Sequence, residues 1–290
     1  MRSQHELTVR RSAMGTPWSI TVYATDTLSA RAAVDRAYER IDQVEDRLSD
    51  YRYDSEINRL FRSPPGAWYP VSGDLHTVLA YSVRLAERSG GAFDPTVGPL
   101  SRLWRKAFRS QEFPPWERIR AAAARVHYQS LEIGPDHEVR WAGDSIQLDL
   151  GGVAKGYGLD AAAEVLRAAG IHSYLIDGGG DLLLGEPPPE RSAWRVATPL
   201  GVLDTSGVAI ATSGATFRYL EWNGTRYSHL IDPRTGLGLT DPRTITVIAP
   251  TGMTADGLAS AASVLGEAAY AQRFDGLPDI RVHWAVPPDQ

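Results

Sequence analysis

Apolar and polar positions alternate over residues 7–11 and 18–24, a period of two that predicts two strands joined across Met14-Gly15-Thr16-Pro17. The period then changes. Val34, Ala37, Ile41, Val44 and Leu48 recur at spacings of three and four, which predicts a core-facing helix over 33–51. Leu75, Val78, Leu79 and Leu85 share a face in the same way and predict a helix from about 74 to 89, stopped by Gly90-Gly91, with Ala92-Phe93-Asp94-Pro95 following as a loop. A short alanine-rich helix is expected over 117–126, after Pro114-Pro115. From Leu131 the pattern turns strand-like, with a hairpin at Pro135-Asp136, a strand over 139–141 and a last one over 146–150.

A helix over 157–169, a stop at Gly170 and a buried strand over 174–176 complete what reads as a local βαβ unit, running into Asp177-Gly178-Gly179-Gly180-Asp181. Segments 217–222 and 225–230 flank Asn223-Gly224, the strongest hairpin signal in the chain. Strands follow over 245–248 and 280–286, and Leu258, Ala262 and Leu265 mark the packed side of an intervening helix. Pro187-Pro188-Pro189 makes a rigid loop. No repeat, biased tract or linker divides the chain, so residues 1–290 read as a single α+β domain.

Composition narrows the chemistry. With 43% hydrophobic and 22% charged residues the chain is ordinary for a globular protein. A net charge of -5, and no basic run longer than Arg10-Arg11, argue against a nucleic-acid partner. Without cysteine there is no disulfide framework and no thiol nucleophile, so a bound metal would use oxygen or histidine. No segment has the apolar run of a signal peptide or a membrane span, from which a cytoplasmic location is expected.

Two segments carry the candidate chemistry. In 145–160 a glycine-rich turn with Lys155 lies between a β-branched run and an alanine-rich helix, where backbone N–H groups and the helix dipole favour anions. In 254–266, Asp256 and Ser260 stand four apart on a helix, so two oxygen ligands face one way, as a hard cation such as magnesium can use beside phosphate. A diphosphate-bearing cofactor suits both. Simpler readings stand beside these: Lys155 as a solvated lysine, Asp149 as a turn cap, and Asp256 as a first-turn carboxylate complementing the dipole under a Thr254 cap. Residues 156–161 match the G-x-G-x-x-A dinucleotide fingerprint, with Asp177 further on, but residues 151–155 intervene between strand and first glycine, which that motif does not allow. His229, three before Asp232, is either a hydrogen-bonded structural histidine or a general base.

The chain resembles the FAD:protein FMN transferases of the ApbE type, through eight ordered blocks. They are MGTPWSI at 14–20, LSDYRYDSEINRL at 48–60, GAFDPTVGPL at 91–100, LDLGGVAKGYGLD at 148–160, IDGGGD at 176–181, TSG at 212–214, SHLIDPRTG at 228–236 and TADGLASA at 254–261. The resemblance implies a T-fold-like domain of mostly antiparallel sheet with packed helices. It also implies a magnesium-dependent enzyme that moves the FMN part of FAD onto a threonine hydroxyl of an acceptor flavoprotein, forming a phosphoester and releasing AMP. It assigns Met14, Tyr51, Ala92, Phe93, Asp94, Asp149, Lys155, Leu230 and Ile231 to FAD. It assigns the Gly152 carbonyl, Asp256 and Ser260 to Mg2+, and His229 to the general base. Ser260 stands where the family usually has threonine, and Gly257 where alanine is usual. Hydrolysis of FAD to FMN and AMP, or flavin binding without turnover, are the alternative functions. Ser213-Gly214-Ala215-Thr216 resembles an acceptor sequence, but its place is that of the family's own Ser-Gly block, which argues against self-modification at Thr216.

Overall fold

The computed structural model describes residues 4–143, 146–214 and 219–286. Seven strands form its central sheet, in the order they have along the chain: β1 (His5–Ala13), β2 (Thr16–Ala24), β3 (Tyr174–Gly178), β4 (Asp181–Leu184), β5 (Ala209–Gly214), β6 (Thr244–Ala249) and β7 (Arg281–Ala285). Every pairing in it is antiparallel. The alternation seen in the sequence sets the register: Trp18, Ile20 and Val22 all point into the core. Between β1 and β2 the chain reverses in two residues, Met14 (φ 49) and Gly15 (φ 73), both left-handed as a tight hairpin turn requires.

Helices α1 (Thr27–Leu48), α2 (Glu56–Leu60), α3 (Gly73–Ser89), α4 (Gly98–Ser110), α5 (Trp116–Ala123), α6 (Ala154–Ala168), α7 (Gly252–Leu265) and α8 (Glu267–Phe274) complete the α+β fold. Asp26 caps α1 by accepting Leu28 N–H, and the whole predicted stripe from Val34 to Leu48 is buried. That helix ends at Leu48, so Tyr51 lies in the loop beyond it. Ser72 caps α3, and Gly90 ends it in the left-handed conformation, as expected. Helix α6 is rich in glycine and alanine because it is pressed between neighbours: a Cβ on Gly156 would run into the Gly252 carbonyl at the start of α7. At the same crossing the Asp160 carboxylate accepts Gly252 N–H at 2.7 Å and Met253 N–H at 2.9 Å, so a side chain of α6 caps α7.

The fold departs from the sequence pattern at two further places, a strand that is not formed and a helix that was not foreseen. Residues 146–150 are extended and carry buried Ile146, Leu148 and Leu150, but they are not a strand, so the local βαβ unit is absent. Both edges of β3 are taken, by β2 and β4, which leaves no edge for a parallel partner. The segment is tied to the 92–95 loop instead, Asp149 N–H donating to the Pro95 carbonyl at 2.8 Å. The second concerns α4, absent from the periodicity reading although Pro99 sits in its first turn and Leu100, Trp104 and Ala107 line its buried side. The Asn223-Gly224 hairpin pairs Tyr219–Trp222 with Thr225–Ser228 as predicted, ending two residues early.

Candidate active site

Helices α6 and α7 bring their N-terminal ends together, and the residues singled out on each meet there. Helix α7 starts at Gly252 under a Thr251 cap, so Asp256 lies beyond the first turn and is not a dipole-complementing residue. It is buried, and its Oδ2 accepts Gly156 N–H from the first turn of α6 at 3.0 Å. One turn on, Ser260 Oγ donates to the Gly152 carbonyl at 3.3 Å. The Phe93 ring closes the same spot: a Cβ on Gly152 would meet Ser260 Oγ at 2.8 Å and Phe93 Cε2 at 3.2 Å. Glycine is therefore needed at 152 for close approach rather than for an unusual φ.

Lys155 lies between two carboxylates. Its ammonium pairs with Asp181, reached from β4, and stands 4.0 Å from Asp256 Oδ1. Asp181 is fixed in turn by Thr212 N–H from β5, at 3.2 Å. Burial pushes the Asp256 carboxyl up to about 6, with Asp181 adding to the rise and Lys155 opposing it. Burial lowers Lys155, but Asp256 and Asp181 outweigh it and hold the ammonium charged. Two carboxylates against one ammonium leave a net negative charge, which a divalent cation would balance.

A second cluster abuts the first through the 149–152 turn. Asp149 Oδ1 accepts Gly151 N–H at 2.9 Å, the turn-cap role, while its Oδ2 accepts Arg105 Nη2 from α4 at 2.8 Å. The same guanidinium pairs with Asp50 and lies 4.0 Å from the centroid of the Tyr51 ring. Burial, then the nearby Asp149 charge, pushes the Asp50 carboxyl up against the pull of Arg105. Neither Arg105 nor Asp50 was found from the sequence. Their signal is long-range, 55 residues apart, and no local motif encodes it.

The remaining candidates divide. Ala92 and Phe93 are buried beside the turn, and Asp94 holds their loop by accepting Thr96 N–H at 2.8 Å, Thr96 Oγ1 at 2.7 Å and Tyr128 N–H at 3.1 Å. Met14 is pinned by its own N–H to Glu45 Oε2 at 3.0 Å, and its sulfur packs against Gly158 of α6. His229 and Leu230 form the bend beyond the 225–228 strand, with His229 exposed and Leu230 N–H donating to Ser228 Oγ at 2.9 Å, and Ile231 opens a short strand, Ile231–Asp232, paired with Leu237–Gly238. Leu230 shares a small cavity with Ser263 and Gly266, at the far end of the helix that carries Asp256. Thr216 lies outside the described residues.

The antiparallel α+β body that carries these two helix ends is the fold of solved flavin transferases. The flavinyl transferase ApbE of Pseudomonas stutzeri, in its apo form, superposes with a TM-score of 0.86 at 30% identity, covering 99% of this chain and 93% of that one. A histidine-to-glycine mutant of the flavin transferase ApbE from Vibrio cholerae superposes with a TM-score of 0.87 at 31% identity, covering 98% and 95%. An FAD:protein FMN transferase of Vibrio cholerae serotype O1 is 33% identical over 270 residues, 88% of this chain and 80% of its own length. The chain belongs to the ApbE family, whose model matches residues 14–282.

Proposed function

We propose that this chain is a magnesium-dependent FAD:protein FMN transferase that esterifies a threonine hydroxyl of an acceptor protein and releases AMP. The observation that carries the reading is the meeting of Asp256, the Gly152 carbonyl and Ser260 beside Lys155. Among the described residues no group of three or more histidine and acidic side chains gathers that could hold a metal ion, so a cation here would draw on the carbonyl and the hydroxyl. A carboxylate, a carbonyl and a hydroxyl are the hard oxygen donors that magnesium takes, and the excess negative charge suits it. Bound there, the ion would supply Lewis-acid neutralisation of the diphosphate oxygens.

The protein's own groups supply the rest. The threonine oxygen forms a bond to the FMN-side phosphorus as the bond from that phosphorus to the AMP oxygen breaks, and His229 takes the hydroxyl proton. Lys155 holds a positive charge beside the phosphates, and Met14, Tyr51, Ala92, Phe93, Asp94, Asp149, Leu230 and Ile231 bind the flavin nucleotide. No helix among the described residues is long and apolar enough to cross a membrane.

Intact-mass spectrometry of a threonine-bearing acceptor domain incubated with the protein, FAD and magnesium tests the proposal, with AMP followed in parallel. Added FMN mass, abolished by chelator, is expected. Free FMN and AMP with no labelled acceptor would turn the reading to hydrolysis, and no AMP at all would turn it to flavin binding. His229→Ala should lower the transfer rate by a factor of about 100 or more, the usual worth of a general base. An unchanged rate would remove His229 from the chemistry.

A further inference from the structure

We propose that Arg105 is a positioning residue of the flavin-nucleotide site, setting both the 149–152 turn and the ring of Tyr51. The inference rests on the reading of that site as an FAD site. Two separate pieces of chain converge on this one guanidinium of α4: Asp50 and Tyr51 after α1, and Asp149 before the glycine turn. The two carboxylates retain only 7% and 13% side-chain exposure. Without the cation they would be left buried and uncompensated, so the arginine is what allows both to stand there.

Each arm of the guanidinium has a consequence for the site. Through Asp149 Oδ2 it fixes a carboxylate whose other oxygen holds Gly151 N–H, one residue before the carbonyl that meets Ser260. Across its face lies the Tyr51 ring. Tyr51 is 75% exposed, so with Arg105 against its ring the side chain still presents solvent-accessible surface that a planar ligand ring can reach. Lysine cannot reproduce this: a point charge on a flexible stem neither forks between two carboxylates nor stacks flat on an aromatic face.

A double-mutant cycle in FAD affinity tests the assignment, using Arg105→Lys, Tyr51→Leu and the double variant, read by flavin fluorescence with magnesium present. Arg105→Lys keeps the charge, and Tyr51→Leu touches an exposed ring, so both are expected to fold, with thermal midpoints checked alongside. Arg105→Lys should weaken FAD binding about tenfold in protein that still unfolds in a single transition, at a lower melting temperature because lysine leaves one buried carboxylate less well paired. Tyr51→Leu should weaken it by a similar factor in the wild-type background and by much less in the lysine background, the coupling expected of groups in contact. Additive losses, or wild-type affinity in Arg105→Lys, would overturn the proposal while leaving the flavin site intact. Absence of FAD binding by the wild-type protein would overturn both.

Discussion

Gly257 illustrates how a residue that looks like a weakness in the sequence is explained by its neighbour. Inside α7 a glycine costs up to about 1 kcal/mol relative to alanine, and alanine is what the family resemblance leads one to expect. In the fold a Cβ there would stand 2.9 Å from Tyr81 Cε1 and from the Tyr81 hydroxyl, and 3.0 Å from Leu85 Cδ2. The glycine makes room for Tyr81, whose phenol is raised by burial and then by the charge of Asp256. Gly257→Ala should therefore destabilise by about 1 kcal/mol or more through overpacking, in spite of the better helix former. Urea denaturation checks this, and a gain in stability would show that Tyr81 swings aside at little cost. At this scale the sequence was most legible where a residue type announces its chemistry, as with Lys155, Asp256 and Ser260, which the fold does bring together. It was least legible where the role is set by a distant partner, as with Tyr81, Asp50 and Arg105.

The crossing of α6 and α7 is where elements rather than residues make the site. Gly156 and Gly252 let the two backbones touch, and Asp160 fastens one helix to the start of the other. Gly156→Ala should cost about 3 kcal/mol or more, since its Cβ meets backbone that cannot rotate away. On the proposed function it should also impair turnover, because Asp256 is held by Gly156 N–H. Chemical denaturation and the AMP assay read the two effects separately, and wild-type values in both would refute the close crossing. Periodicity foretold α1, α3, α6 and the Asn223-Gly224 hairpin because each carries its own stripe, cap or turn. It misassigned 146–150 because alternation records only that an extended segment has a buried side. Whether such a segment finds a strand to pair with is decided by the sheet, here by β2 and β4 already flanking β3.

Taken as a whole, the molecule is tied across its helical layer by Asp74. This buried carboxylate of α3 accepts Arg40 from α1 at 2.7 and 2.5 Å, Arg47 from the same helix, and the Tyr157 hydroxyl of α6 at 2.7 Å. Burial alone would raise its pKa, but the hydrogen bonds from Arg40, Tyr157 and Arg47 outweigh it and hold the group at about 2. A depressed native pKa gives stability that is present above the unfolded value of 3.8 and is lost as pH falls toward 2. The amount is about 2 kcal/mol. Asp256 and Asp160, both raised to about 6, act in the opposite sense, so the informative quantity is the difference between wild type and Asp74→Asn. That gap should be wide at pH 7 and narrow below pH 4 in denaturation series, about where the unfolded carboxyl takes its proton; a gap independent of pH would mean that Asp74 does not titrate as described. The strand order carries a different consequence. Although the sheet runs in chain order, β2 and β3 are neighbours only after residues 25–173 have been looped out between them. The β1–β2 hairpin and α1 can form early from local contacts, whereas the Ile20–Ile176 pairing must wait for that long closure. The nascent chain would thus leave one edge of β2 bare until α6 and β3 arrive, and that interval is when this protein is most open to wrong pairing with another copy.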